Sequence, residues 1–203
     1  MRKFKLLPLI ALLLSSLAAF SAEGFKIDPN HSSASFSVRH MLVSTVRGRF
    51  TQVSGTILLD DADMTRSSVN AVISTPSITT DNERRDGHLK SADFFDVAKY
   101  PEITFKSTKV EKTADGYVAT GLLTIKDVSK EVRLPFTVAK GEAHGKSLLG
   151  VETATQINRV DYNVRYDSTG TTVSKEVKIE ISLEAGKPAA SPAAPNNATV
   201  TTK

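Results

Sequence analysis

Lys175-Glu176-Val177-Lys178-Ile179-Glu180-Ile181-Ser182-Leu183-Glu184-Ala185 is the stretch whose reading decides the fold. Val177, Ile179, Ile181 and Leu183 fall on one side of an extended chain, and Glu176, Lys178, Glu180 and Glu184 on the other. One dry face and one wet face at a period of two mark a half-buried β-strand. The same period recurs upstream. Lys130–Ala139 alternates through Val132, Leu134, Phe136 and Val138, and Ser147–Ile157 through Leu149, Val151, Thr153 and Thr155. Glu102–Lys112 carries Ile103 and Phe105, and the strong hairpin signal Asp115-Gly116 joins it to Tyr117–Lys126. Ser67–Thr79 alternates through Val69, Ala71 and Ile73. Val46–Leu59 carries Phe50, Ile57 and Leu59, with a bulge expected at Gly55, and Ser33–Arg39 carries Phe36 and Val38.

Eight such runs with short connections predict an all-β chain: an elongated, eight-stranded antiparallel up-and-down barrel. Closure removes sticky edges and leaves an interior able to hold one small ligand. Strands of about 10–13 residues span roughly 33–43 Å at ~3.3 Å per residue, hence the elongation. Periodicity alone leaves a β-sandwich as the alternative. An outer-membrane barrel would turn apolar side chains outward. Here Lys and Glu occupy the outer positions.

One segment breaks the pattern, Thr80 to Phe105. Thr80 or Asp81 is placed to cap a helix, and Glu83 puts a carboxylate in its first turn. Leu89, Phe94 and Val97 recur at roughly helical spacing with Phe95 beside them, and Pro101 ends the segment. A short helical insertion is therefore expected between strands 3 and 4, covering one end of the barrel.

The flanks read differently. Arg2, Lys3 and Lys5 precede an apolar run from Leu6 to Leu17 and the small residues Ala18 to Ala22, the three-part pattern of a secretory signal peptide. The run is about a dozen residues, short of the roughly 20 a membrane helix needs. From Gly186 the chain turns to Pro, Ala, Asn and Thr without an apolar period, as a disordered tail does. The expected organisation is a signal peptide over 1–22, one domain over 23–185 and a tail over 186–203. The protein is expected in the periplasm, with cleavage near Ser21–Ala22. The whole chain is +4, of which Arg2, Lys3 and Lys5 supply three charges, so the exported part is near +1. With no basic run, nucleic acid is not expected as a partner. With no cysteine there are no disulfides, so stability must come from the core.

Catalytic signals are sparse. There is no Cys nucleophile and no Gly-x-Ser-x-Gly elbow. His31, His40, His88 and His144 lack metal-ligand spacing, so no metal and no cofactor is expected, although folding could gather His31, His40 and His88 at one end. Asp86 with His88, or His40, supplies the acid-base groups of an alternative enzymatic reading. Arg159 and Asp161 are expected to pair and pin a turn.

Several blocks together resemble the YceI-like family of bacterial periplasmic proteins. They are Asp28-Pro29-Asn30-His31-Ser32, the run Phe36 to Ser44, Val46-Arg47-Gly48-Arg49-Phe50, Arg85 to Val97, Tyr100-Pro101-Glu102-Ile103-Thr104-Phe105 and Gly121 to Ile125. The resemblance covers residues 25–185. It implies a lipocalin-like barrel that binds a long-chain amphiphile: a polyisoprenoid, an isoprenoid quinone or a fatty-acid amide. It thus implies a binding protein rather than an enzyme, not membrane-spanning, with a homodimer left open. A partner-binding barrel with a full core is the other alternative. On this reading Phe36, Val38, Phe50, Ile73, Phe94, Phe95, Phe105, Leu134, Phe136, Val151, Ile179 and Ile181 line the apolar path. His40, Arg47, Arg85, Asp86 and His88 are candidates for the headgroup. The chain departs from the family pattern at Asp127 and Asn163, where Gly is usual; Asp and Asn tolerate left-handed geometry better than other residues with a side chain.

Overall fold

The computed structural model describes residues 22–187 apart from His144. The expected signal peptide and tail lie outside the described residues, except at their inner boundaries. Eleven strand segments make the fold. β1 (Glu23–Ile27) runs on into β2 (Ser33–His40), β3 (Ser44–Phe50) into β4 (Val53–Leu59), and β5 (Ser68–Ser74) into β6 (Ile78–Thr79). β7 (Glu102–Thr113), β8 (Gly116–Ile125), β9 (Val128–Ala143), β10 (Lys146–Asn158) and β11 (Glu176–Gly186) are continuous. Three interrupted strands and five continuous ones give eight barrel strands, each antiparallel to the next.

Closure comes from the last strand meeting the first. β11 pairs with β10 on one side and with both β1 and β2 on the other, for example Ile27 with Ala185 and Phe36 with Ile179. The expected barrel is what forms, and β1 is the part of it that the sequence reading missed. Five residues, Glu-Gly-Phe-Lys-Ile, are too few to show a period. Gly186, placed in the tail by composition, still belongs to β11 and pairs with Lys26.

The strand breaks have local causes. Asp28 accepts from the Asn30 amide at 2.9 Å and turns the chain between β1 and β2. The break between β3 and β4 faces the one between β5 and β6, where Thr75-Pro76-Ser77 forms a single 3-10 turn. The Gln52 amide donates to Ser77 Oγ at 3.2 Å, so each break satisfies the other. Gly55 is not a bulge: the β4–β5 register runs through it unshifted. It is a close approach, with φ at +139° and the backbone of Asn70 and Ala71 where a Cβ would stand.

Chain direction alternates, so one end collects the β2–β3 hairpin turn at Met41–Val43, the insertion 80–101, the Lys126-Asp127 turn and the long connection 159–175. The other end holds the start of β1, the end of β11, the connection 60–67 and the Ala114-Asp115 turn. The helix in the insertion, α1, spans Glu83–Lys90 and is capped by Asn82, whose side chain accepts from the Arg85 amide. Neither Thr80 nor Asp81 is the cap. α1 stops well before Pro101, and Phe94, Phe95 and Val97 sit in successive turns rather than on a helix.

The two departures from the family pattern meet each other. Asn163 takes the left-handed conformation, φ 58°, but in the other turn Lys126 does so and Asp127 does not. Asn163 Nδ2 donates to Asp127 Oδ1 at 3.0 Å, a bond that two glycines could not make.

Candidate functional site

The inner faces of the eight strands do not fill the barrel. Ile27 and Ile78 are packed away from it, yet many other inward side chains border an internal space. That space is a cavity of about 230 Å³. It reaches from Met64, Ser67 and Ser68 at the termini end to Phe94, Phe95, Tyr162, Val164 and Val173 at the loop end. Long extent with small volume makes it a narrow slot.

All twelve residues expected on the apolar path line this cavity: Phe36, Val38, Phe50, Ile73, Phe94, Phe95, Phe105, Leu134, Phe136, Val151, Ile179 and Ile181. Period two puts them there from seven different segments of strand, and the insertion adds Phe94 and Phe95. Phe36, Phe50 and Phe95 form a run of rings with centroids 5.8 and 5.6 Å apart. Phe36 can lie across β3 because Gly48 is opposite it; a Cβ there would collide with the Phe36 ring and with Thr80. Thr153, Thr155 and Val177 also line the cavity, in phase with expected neighbours. Tyr162, Val164 and Val173 come from an irregular connection, where no period could have announced them.

None of the five headgroup candidates is among the lining residues. Arg85 donates from Nε to Thr80 Oγ1 at 2.7 Å and from its guanidinium to the Thr80 carbonyl at 3.0 Å. Asp86 accepts from the Thr80 amide, the Thr80 hydroxyl and the Thr79 hydroxyl. Burial pushes the Asp86 carboxyl up, but the bonds from Thr80 and Thr79 outweigh it and hold the group below its usual value. Both side chains thus fasten α1 to the end of β6. His88 meets Asp93 at 2.9 Å and sets its ring edge-on to Phe94 and Tyr166. Arg47 faces a groove on the outer wall, and His40 stands at the hairpin turn, bridged to Val173.

His31 is not gathered with His40 and His88. His31 lies in the turn between β1 and β2, with Nδ1 at 2.8 Å from Asp28 and 3.8 Å from Glu184. Its bond to Asp28 raises the imidazole pKa above the ordinary 6.5. The expected Arg159–Asp161 pair is not made. Asp161 faces Lys130 at 3.5 Å. Arg159, 5% exposed, gives Nε to the Ser174 carbonyl and its four terminal N–H groups to the carbonyls of Val164, Tyr166, Asp167 and Val173. Five N–H groups are all it has. Burial lowers its pKa, while Asp167 and Glu176 pull the other way. It borders the cavity but has no donor left for a ligand. Tyr162 also borders it, its phenol pKa raised by burial.

Comparison with known proteins agrees with this fold. Residues 25–185 match the model of the YceI-like domain. Protein YceI of Escherichia coli is 35% identical over 178 residues, covering 86% of this chain and 92% of that one. The crystal structure of the Campylobacter jejuni YCEI protein superposes with a TM-score of 0.67 at 31% identity, over 74% of this chain and 90% of that one. A polyisoprenoid binding domain from Saccharophagus degradans shares the fold, with a TM-score of 0.64 at 16% identity, over 81% and 98%.

Proposed function

The chain belongs to the YceI-like family, and on that premise we propose that it is a lipid-binding barrel holding one long, thin amphiphile along its axis. The observation that carries this is the cavity itself: a slot of about 230 Å³ with an aliphatic and aromatic wall. That volume lies below the roughly 300–1,000 Å³ of sites for drug-sized molecules. Being also long, the slot suits a single isoprenoid or acyl chain better than a fused ring system. A chain larger than the space turns the phenylalanines aside or projects from the mouth. Burying ~700 Å² of apolar ligand surface gains on the order of 17 kcal/mol gross, before ordering and association costs remove much of it. The Saccharophagus degradans domain lends the same reading to this fold, although at its level of identity the cavity is the stronger argument.

Binding rather than turnover is favoured by the wall. Its ionisable members are Arg159, whose donors are all used, and Tyr162, held neutral by burial. A lipid in the slot meets neither a nucleophile with a base beside it nor an acid-base pair. The proposal includes the periplasm as the place of action, supported by the three-part pattern at Arg2–Ala22.

One measurement tests the whole reading. Native mass spectrometry of the protein isolated from the periplasm, followed by solvent extraction, is expected to show a chain shortened near Ser21–Ala22 with an apolar molecule bound. Phe36→Glu or Phe105→Glu is expected to abolish retention while the barrel stays folded, because a carboxylate in an apolar slot is strongly penalised. A ligand-free barrel that takes up neither polyprenyl nor acyl lipid on offer overturns it.

A further inference from the structure

The β2–β3 hairpin ends in a turn that the fold itself does not explain. Met41, Leu42 and Val43 are 58%, 73% and 82% exposed, half of the exposed large apolar side chains among the described residues. They adjoin one another at the projecting tip. Met41 and Leu42 also have positive φ, 49° and 59°, and the Val43 amide closes the turn on the His40 carbonyl at 3.0 Å. A β-turn with both central φ angles positive favours Asn and Gly at those positions. Met-Leu there carries strain and leaves most of its surface in solvent, so the side chains answer to something other than folding.

The charge carried by the hairpin itself is one-sided. No Asp or Glu occurs between Asp28 and Asp60, and Arg39, Arg47 and Arg49 all fall in that interval. Arg49 is paired with Asp81. Arg39 holds the turn from behind, donating to the carbonyls of Leu42 and Val43 at 2.8 and 3.2 Å. The outer groove behind the tip is lined by Arg39, Arg47, Arg49 and Lys178 against Asp81, Glu176 and Glu180. Tyr166, 39% exposed, stands at the same end of the barrel. The hairpin's inner face also continues the cavity wall: Phe36 and Val38 line the slot, and His40 follows them in phase toward the tip.

We propose that this tip docks on the surface of an anionic lipid bilayer, with Met41, Leu42 and Val43 entering the apolar layer and the hairpin arginines meeting the headgroup phosphates. A convex tip of three residues falls far short of the roughly 800 Å² per partner of a stable protein interface. A bilayer needs no matching surface. It rewards apolar insertion and basic charge together, and it suits a tyrosine at the headgroup level. Docked this way, the barrel presents the loop end of its slot to the membrane. Vesicle binding can be measured with the slot empty, so this surface stands or falls separately from the lipid-carrier reading.

The test is flotation of the full chain with vesicles of phosphatidylcholine alone and of phosphatidylcholine mixed with phosphatidylglycerol. Binding is expected to the mixed vesicles and to weaken as salt is raised. The double variant M41N/L42G installs the preferred turn, so it is expected to melt higher while partitioning about tenfold or more weaker. Lipid retention inside the barrel is expected to be unchanged in it. Wild-type protein that stays off both kinds of vesicle, or a variant that binds as well as wild type, overturns the proposal. So does a wild-type dimer that the variant loses, which assigns the tip to a second copy of the chain.

Discussion

Along the barrel wall, Val151, Ile179 and Ile181 face inward with nothing polar to satisfy, and the space between them stays open. At the loop end, Arg159 brings a buried cation to the same interior and spends every donor on backbone carbonyls. The wall is held by a ladder that any alternating sequence can make, so its side chains are free to leave room. The connection 159–175 has few ladder bonds of its own, and polar side chains, Arg159 with the largest share, supply its internal order. Emptiness is tolerable where the backbone pairs itself; where it does not, a polar centre must take over.

The sharpest way to break that contrast is to remove the polar centre. Arg159→Leu leaves the carbonyls of Val164, Tyr166, Asp167, Val173 and Ser174 without their donor. A loss on the order of 3–5 kcal/mol is expected in urea denaturation. Arg159→Lys keeps the charge but offers three donors instead of five, and is expected to recover only part. A loss under about 1 kcal/mol would show that the connection holds itself.

The wall can be probed against its own packed parts. Ile27 is 1% exposed within the sealed core, whereas Ile181 borders the slot. In lipid-free protein, Ile27→Ala is expected to cost about 2–5 kcal/mol, and Ile181→Ala about 2 kcal/mol or less, since its neighbours already lack contacts on one side. Equal costs would mean that no void lies beside Ile181.

The smallest effect expected concerns pH. Asp167 accepts from Thr169 Oγ1 and from the amides of Thr172 and Val173, which lowers its pKa from 3.8 to about 2. A carboxyl depressed on folding stabilises above its unfolded value and loses that contribution as pH falls through the folded one. Asp167→Asn is therefore expected to melt lower than wild type at neutral pH, with the gap closing between pH 3.8 and about 2. A gap that stays constant over that window would detach Asp167 from the order of the connection.

The same contrast explains what could be read in advance. Val177, Ile179, Ile181 and Leu183 disclosed their face through spacing alone, and ten of the twelve wall positions followed by the same rule, Phe94 and Phe95 coming from the insertion. Tyr162, Val164 and Val173 could not be found that way, because tertiary bonds rather than a period aim them inward. Charged residues misled for a related reason. Arg85, Asp86 and His88 look like groups waiting for a ligand, but folding brings Thr79, Thr80 and Asp93 to them and occupies them. A sequence shows which donors and acceptors a chain owns, not which ones the fold has already matched.

The pairing of Lys26 with Gly186 has a kinetic consequence. The first segment of the domain pairs with β4 along one edge, but its other edge meets only the last strand, so the ring cannot close until almost the whole chain is present. Hairpins such as β7–β8 and β9–β10 can form early, while the edges of β1 and β11 stay bare. Pairing across such sequence separation is slow. A chain emerging from a ribosome therefore remains an open sheet, and the outer edges of β1 and β2 wait for β11 before the slot exists at all.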